Sequence, residues 1–191
     1  MTTVAAERGS QPRGWWGMAL FVATEATLFG TIFGTYWYLR FKALAWPPAG
    51  IPEPKLLLPL VLTGVLVSTS VPIQLSYRSA SRGRVGRARF VLLAALVVQA
   101  GYFGMQIHLF AGDLHDFVPA QHAYASIYYV LVGADHAHVA VGLLINLFLL
   151  LKLLGGLNGY RLTGLKAAAF YWHVVNLFTV LVVLTQISPS L

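Results

Sequence analysis

A glutamate in the middle of an otherwise apolar run is the first residue here that could do chemistry. Glu25 lies within Trp15–Tyr38, about 15 Å from the start of that run if it is helical. A charged carboxylate at that depth costs ~2.5–3.5 kcal/mol on insertion scales. Phe21 and Phe29, at i−4 and i+4, share its face and favour the neutral acid. Two readings are open, a proton-exchanging group and an interhelical hydrogen bond. A second constellation is GADHAHV, with Asp135, His136 and His138. It invites a metal reading, but residues two apart point about 200° from one another around a helix, so His136 and His138 do not easily share an ion. Asp135 and His138, at i and i+3, share a face and could hydrogen-bond. A satisfied polar cluster is the leading expectation, with proton transfer next. His173 and Asn176 are again i and i+3, and a haem between His173 and a histidine of the preceding apolar run is conceivable. His108, His115 and His122 fall in or near a polar connection, where solvated side chains are expected. The chain has no cysteine, which excludes disulfides, zinc-thiolate sites, iron-sulfur clusters and thiolate-bound haem. No nucleophile with its base, phosphate loop or dinucleotide turn is present.

The elements holding these residues follow from composition. Of 191 residues, 58% are hydrophobic and 10% charged, against roughly 45–50% and about 25% in a soluble domain. Five apolar runs, Trp15–Tyr38, Leu56–Tyr77, Phe90–Phe110, Ser126–Leu153 and Leu165–Ile187, each reach the ~20 residues needed to cross a hydrocarbon core. The alternating pattern of a membrane barrel is missing, and lipid offers amides no partner, so the runs must be helices. The expectation is an all-α polytopic bundle of five transmembrane helices in one domain, residues 15–191, after a short tail, residues 1–14, that lacks the apolar core of a secretory signal. No internal repeat is seen, so the inverted repeats of many transporters are missing.

Charge placement sets the expected orientation, and the net charge of +7 is not read as a nucleic-acid footprint. Arg78, Arg82, Arg84, Arg87 and Arg89 follow the second run, and Lys152, Arg161 and Lys166 follow the fourth. Both connections are expected on the cytoplasmic side, with the amino terminus and its Arg8 and Arg13; the carboxy terminus is then external. Asp113 and Asp116 lie in an external connection without Lys or Arg, as expected, whereas Arg40, Lys42 and Lys55 fit less well. The WPPAGIPEP stretch between them is a Pro-rich turn. Ala26, Gly30 and Gly34 form a small-residue stripe expected to pack on protein, in this bundle or a partner.

The run WWGMALFVATEATLFG resembles a motif of cytochrome c oxidase subunit III, through Gly17, Met18, Leu20, Phe21, Glu25 and Phe29, with Thr24 in place of the family's serine. YASIYYVLVGADHAHVAVG is similar to a second motif through Tyr124, Ser126, Tyr128, Tyr129, Gly133, His138, Val139 and Gly142. YWHVVNLFTV matches a third through Tyr171, Trp172, His173 and Val175, and Gln106 falls where the family often has a glutamine. The chain departs at Asp135, where the family has a histidine, at Asn176 for an aspartate, at Thr179 for a tryptophan and at Leu109 for an acid. Five crossings resemble a short form lacking the first two helices of seven.

The resemblance implies a multi-pass subunit of a haem-copper oxidase in a bacterial plasma membrane. It implies no cofactor on this chain, with haem and copper in partner subunits, and contact with the catalytic subunit I and with subunit II. Structural phospholipid and support of proton uptake are implied as well. The residue matching Glu25 is, in the family, an intramembrane acid that reacts with a hydrophobic carbodiimide. Glu25 is expected to bond His138 first and His173 second, since all three lie at comparable depth, about 15, 22 and 12 Å from the cytoplasmic ends. His138 leads because it keeps the motif intact and shares a face with Asp135, which could orient it. Within the family, a quinol oxidase or a nitric oxide reductase companion are alternatives; from another class, a small proton-coupled transporter using Glu25 and His138.

Overall fold

An apolar run in lipid must satisfy its own amides, and a helix does so along its whole length. The computed structural model describes residues 13–51 and 56–190. Residues 1–12, with Arg8, and residues 52–55, with Lys55, lie outside the described part. Helices α1 (Arg13–Lys42), α2 (Leu57–Ser68), α3 (Ser70–Ser81), α4 (Val85–Asp116), α5 (Ala123–Leu154) and α6 (Gly159–Ile187) are followed by a 3-10 turn, Ser188–Ser190. The described residues contain no strand. With α2 and α3 counted as one span, five segments are long and apolar enough to cross a membrane. The helices outrun the apolar stretches into polar flanks, as α4 does from Val85 through Arg87 and Arg89.

The second span is broken at Thr69, a feature the continuous run Leu56–Tyr77 did not announce. Pro72 has no amide to give the carbonyl of Ser68, and its ring crowds the preceding turn. Side-chain hydrogen bonds surround the break, one local and two from α6. The Thr69 hydroxyl donates to the Leu66 carbonyl at 2.6 Å, Trp172 Nε1 donates to Thr69 Oγ1 at 2.8 Å, and Asn176 Nδ2 donates to Ser70 Oγ at 2.6 Å.

Helix α6 is the centre of the bundle, packed against α1, α2, α3 and α5. Small residues at Ala167, Ala168 and Ala169 let neighbours close in, and Trp172 is wholly buried. The stripe of Ala26, Gly30 and Gly34 faces away from all of this. A Cβ added at Gly30 or Gly34 would meet nothing within 4 Å, so the stripe packs on nothing in this bundle and is left for lipid or another chain.

Two charges that fitted the topology poorly, or only as topology, have structural work. Arg40 donates to the Ser188 carbonyl at 3.1 Å and to its hydroxyl, closing the carboxy-terminal end of α6. Arg89 donates from Nε and Nη2 to the Leu153 carbonyl at 2.9 and 2.6 Å, doing the same for α5.

Candidate functional site: an acid and an imidazole between helices

Helix α1 carries Glu25 toward α5, one turn before the buried Phe29. Helix α5 presents His138 opposite it, with Oε2 and Nε2 2.7 Å apart. Both side chains are mostly enclosed, His138 12% and Glu25 18% exposed. The ring of Phe29 meets the imidazole edge at 5.0 Å and stacks on Phe178 at 4.4 Å, so aromatic carbon walls one side of the pair. The Tyr171 hydroxyl donates to the His138 carbonyl at 3.0 Å, tying α6 to the same turn.

The other imidazole nitrogen decides the chemistry. Nδ1 of His138 lies 2.6 Å from the Ala134 carbonyl, which can only accept, so Nδ1 carries a hydrogen. Nε2 and Oε2 are then left with one proton between them. Either the neutral acid donates to Nε2, or an imidazolium donates from Nε2 to the carboxylate. Both forms carry no net charge, which is what a site at membrane depth requires. A proton can cross the 2.7 Å gap without creating an isolated charge.

The remaining candidates are dispersed. Asp135 does not orient His138, contrary to the i, i+3 expectation: it accepts from the Thr179 hydroxyl of α6 at 2.7 Å, while His138 spends Nδ1 on its own helix. His136 is buried on another face, edge-on to Phe110 at 5.2 Å. His173 is exposed and meets Gln74 at 3.4 Å, so the Glu25 partnership falls to His138 and not to His173. Asn176 turns to Ser70 and not to His173. Among the described residues no group of three or more His, Cys, Asp or Glu is arranged to hold a metal.

His122 is not simply solvated. It caps α5, its Nδ1 accepting from the Ala125 amide at 3.0 Å. The only signal in the sequence was a polar residue just ahead of an apolar run.

At the opposite, basic end a groove of about 940 Å³ opens between the start of α1, the end of α5 and the start of α6. Met18, Leu144, Ile145 and Phe148 form its stem, and Arg13, Lys152 and Arg161 stand among its polar lining. An apolar slot with basic groups at one end suits an acyl chain below an anionic headgroup. No spacing in the sequence marks the residues of this groove as a group, because it exists only where three helix ends meet.

Five segments long and apolar enough to cross a membrane, with an acid and an imidazole meeting at 2.7 Å between two of them, define a multi-pass membrane protein with a buried polar pair. The family model for cytochrome c oxidase subunit III matches residues 4–187, and the chain belongs to that family. It is 28% identical to cytochrome c oxidase subunit 3 of Thermostichus vulcanus, with 89% of this chain and 87% of the relative covered. It is 30% identical to cytochrome bo(3) ubiquinol oxidase subunit 3 of Pseudomonas aeruginosa, covering 88% and 80%. Cytochrome c oxidase subunit 3 of Bacillus subtilis is 28% identical, covering 87% and 81%.

Proposed function

We propose that this chain is the non-redox subunit III of a bacterial haem-copper oxidase, holding the catalytic subunit I in place, contacting subunit II, binding structural lipid and supporting proton uptake. The observation that carries this reading is the Glu25 and His138 pair. Both nitrogens of His138 are engaged, and the pair can pass a proton at constant charge. The outward stripe of Ala26, Gly30 and Gly34 offers a partner helix close approach. The basic-rimmed groove supplies a lipid seat.

Purification in mild detergent is the test. A tagged chain is expected to bring haem-bearing subunits with it, giving a haem optical spectrum. Once separated from them, it is expected to carry less than stoichiometric iron, copper or zinc. A haem-free homo-oligomer from native membranes would instead identify a proton-coupled transporter.

The orientation is proposed on the charge bias of the connections: Arg78 to Arg89 cytoplasmic, Asp113 to Tyr124 external. Single cysteines at Ser81 and Ala120 are expected to differ in intact cells, only the second reacting with an impermeant maleimide. Labelling at position 81 would reverse the orientation.

A further inference from the structure

We propose that the acidic end of the bundle contains a second protonic site: a hydrated cavity, separate from the Glu25 pair, in which Asp135 and His136 hold a proton exchangeable with the adjoining aqueous phase. The cavity, about 240 Å³, lies among α2, α4, α5 and α6, with Asp135 and His136 in its wall. That is room for several waters. Asp135 is 3% and His136 7% exposed. Asp135 has the Thr179 hydroxyl, whereas Nδ1 of His136 has no partner among the described protein groups. A buried polar nitrogen is rarely left unmatched unless water completes it.

The groups facing the pair favour a positive guest. From α4 come Asp113 and Asp116, with Gln106 donating to the Tyr102 hydroxyl at 2.7 Å. From α5 come Tyr124 and Tyr128, the latter donating to Asp113 at 2.6 Å. Helix α6 contributes Gln186, and α2 only Leu58 and Pro59. The described lining contains no Lys or Arg. His138, though nearby in sequence, is turned to α1. Since no three ligating side chains converge among the described residues, a proton fits better than a chelated metal.

Two measurements on the chain in its purified complex test this. Val132 lines the cavity and Val139 is buried elsewhere in the core. Val132→Cys is expected to react with a small methanethiosulfonate roughly 100-fold faster than Val139→Cys, because a thiol ionises only where water reaches it. Equal, slow reaction would mean a dry cavity and overturn the proposal. In infrared spectra, the Asp135 carboxyl band, assigned by Asp135→Asn or by labelled aspartate if that variant does not fold, is expected to exchange in D2O within minutes and to titrate with pH. His136→Gln should move that titration by about one pH unit if the two groups share the proton. A band indifferent to pH or to His136→Gln, or one answering to sodium or potassium at fixed pH, rules out the shared proton.

Discussion

Replacing Gly142 by leucine is expected to destabilise the bundle by about 3 kcal/mol, at the upper end of what overpacking a filled core costs. A Cβ at this position would lie 2.5 Å from Cζ3 and 2.7 Å from Cε3 of Trp172, and 3.4 Å from Cε1 of Tyr171. The first two distances are far inside van der Waals contact. Trp172 cannot step aside, being 0% exposed and held by its Nε1 hydrogen bond to Thr69 at the break between α2 and α3. Tyr171 is anchored to the His138 carbonyl on the facing helix. Displacement of either ring would therefore reach the broken span or the Glu25 site. Gly142→Ala already introduces the clashing atom and should cost about 1–2 kcal/mol, whereas Gly30→Ala, with nothing within 4 Å, should be neutral or slightly stabilising through helix propensity. Unfolding of the three variants in mixed detergent is the measurement. Coincident transitions for Gly142→Leu and the unchanged chain would mean that α5 and α6 do not approach as described.

The crossings were legible because hydrocarbon thickness and amide satisfaction act on each segment separately. Features that depend on which helix lies opposite were not. The stripe at Ala26, Gly30 and Gly34 declares a face that allows close approach, yet nothing in its spacing says whether the neighbour belongs to this chain, and here none does. The spacing of Asp135 and His138 permitted a bond along one helix. Thr179 on α6 and the Ala134 carbonyl offered each side chain a better aligned partner. Depth counting placed Glu25, His138 and His173 at similar levels, and only the rotation of α6, which turns His173 outward, separates the histidines. Pro72 sits inside a run that reads as one continuous helix, and the bonds that Trp172 and Asn176 make beside the break depend on which helix lies opposite. Arg40 looked misplaced for topology because charge counting ignores helix ends, which is where its guanidinium goes.

The state of the Glu25 pair has the largest consequence for function, and Glu25→Gln separates its two forms. We expect the neutral form, in which Oε2–H donates to Nε2, because aromatic and aliphatic neighbours stabilise separated charge poorly. A glutamine amide can make the same donation to Nε2, so the variant should assemble with a loss of no more than about 1 kcal/mol. Labelling by a hydrophobic carbodiimide should disappear, since no carboxyl remains. Any loss of oxidase activity should appear in proton uptake or in durability during turnover, with the haem spectrum unchanged. The ion-pair form predicts otherwise. There the substitution strips a buried imidazolium of its counter-charge, at a cost of roughly 3–5 kcal/mol. Infrared spectra across pH, with Glu25→Gln as the subtracted reference, read the state directly. A protonated carboxyl band at neutral pH, absent from the variant, fits the neutral acid. A carboxylate band at that pH, together with a destabilised variant, would establish the ion pair and make His138 the resting proton carrier.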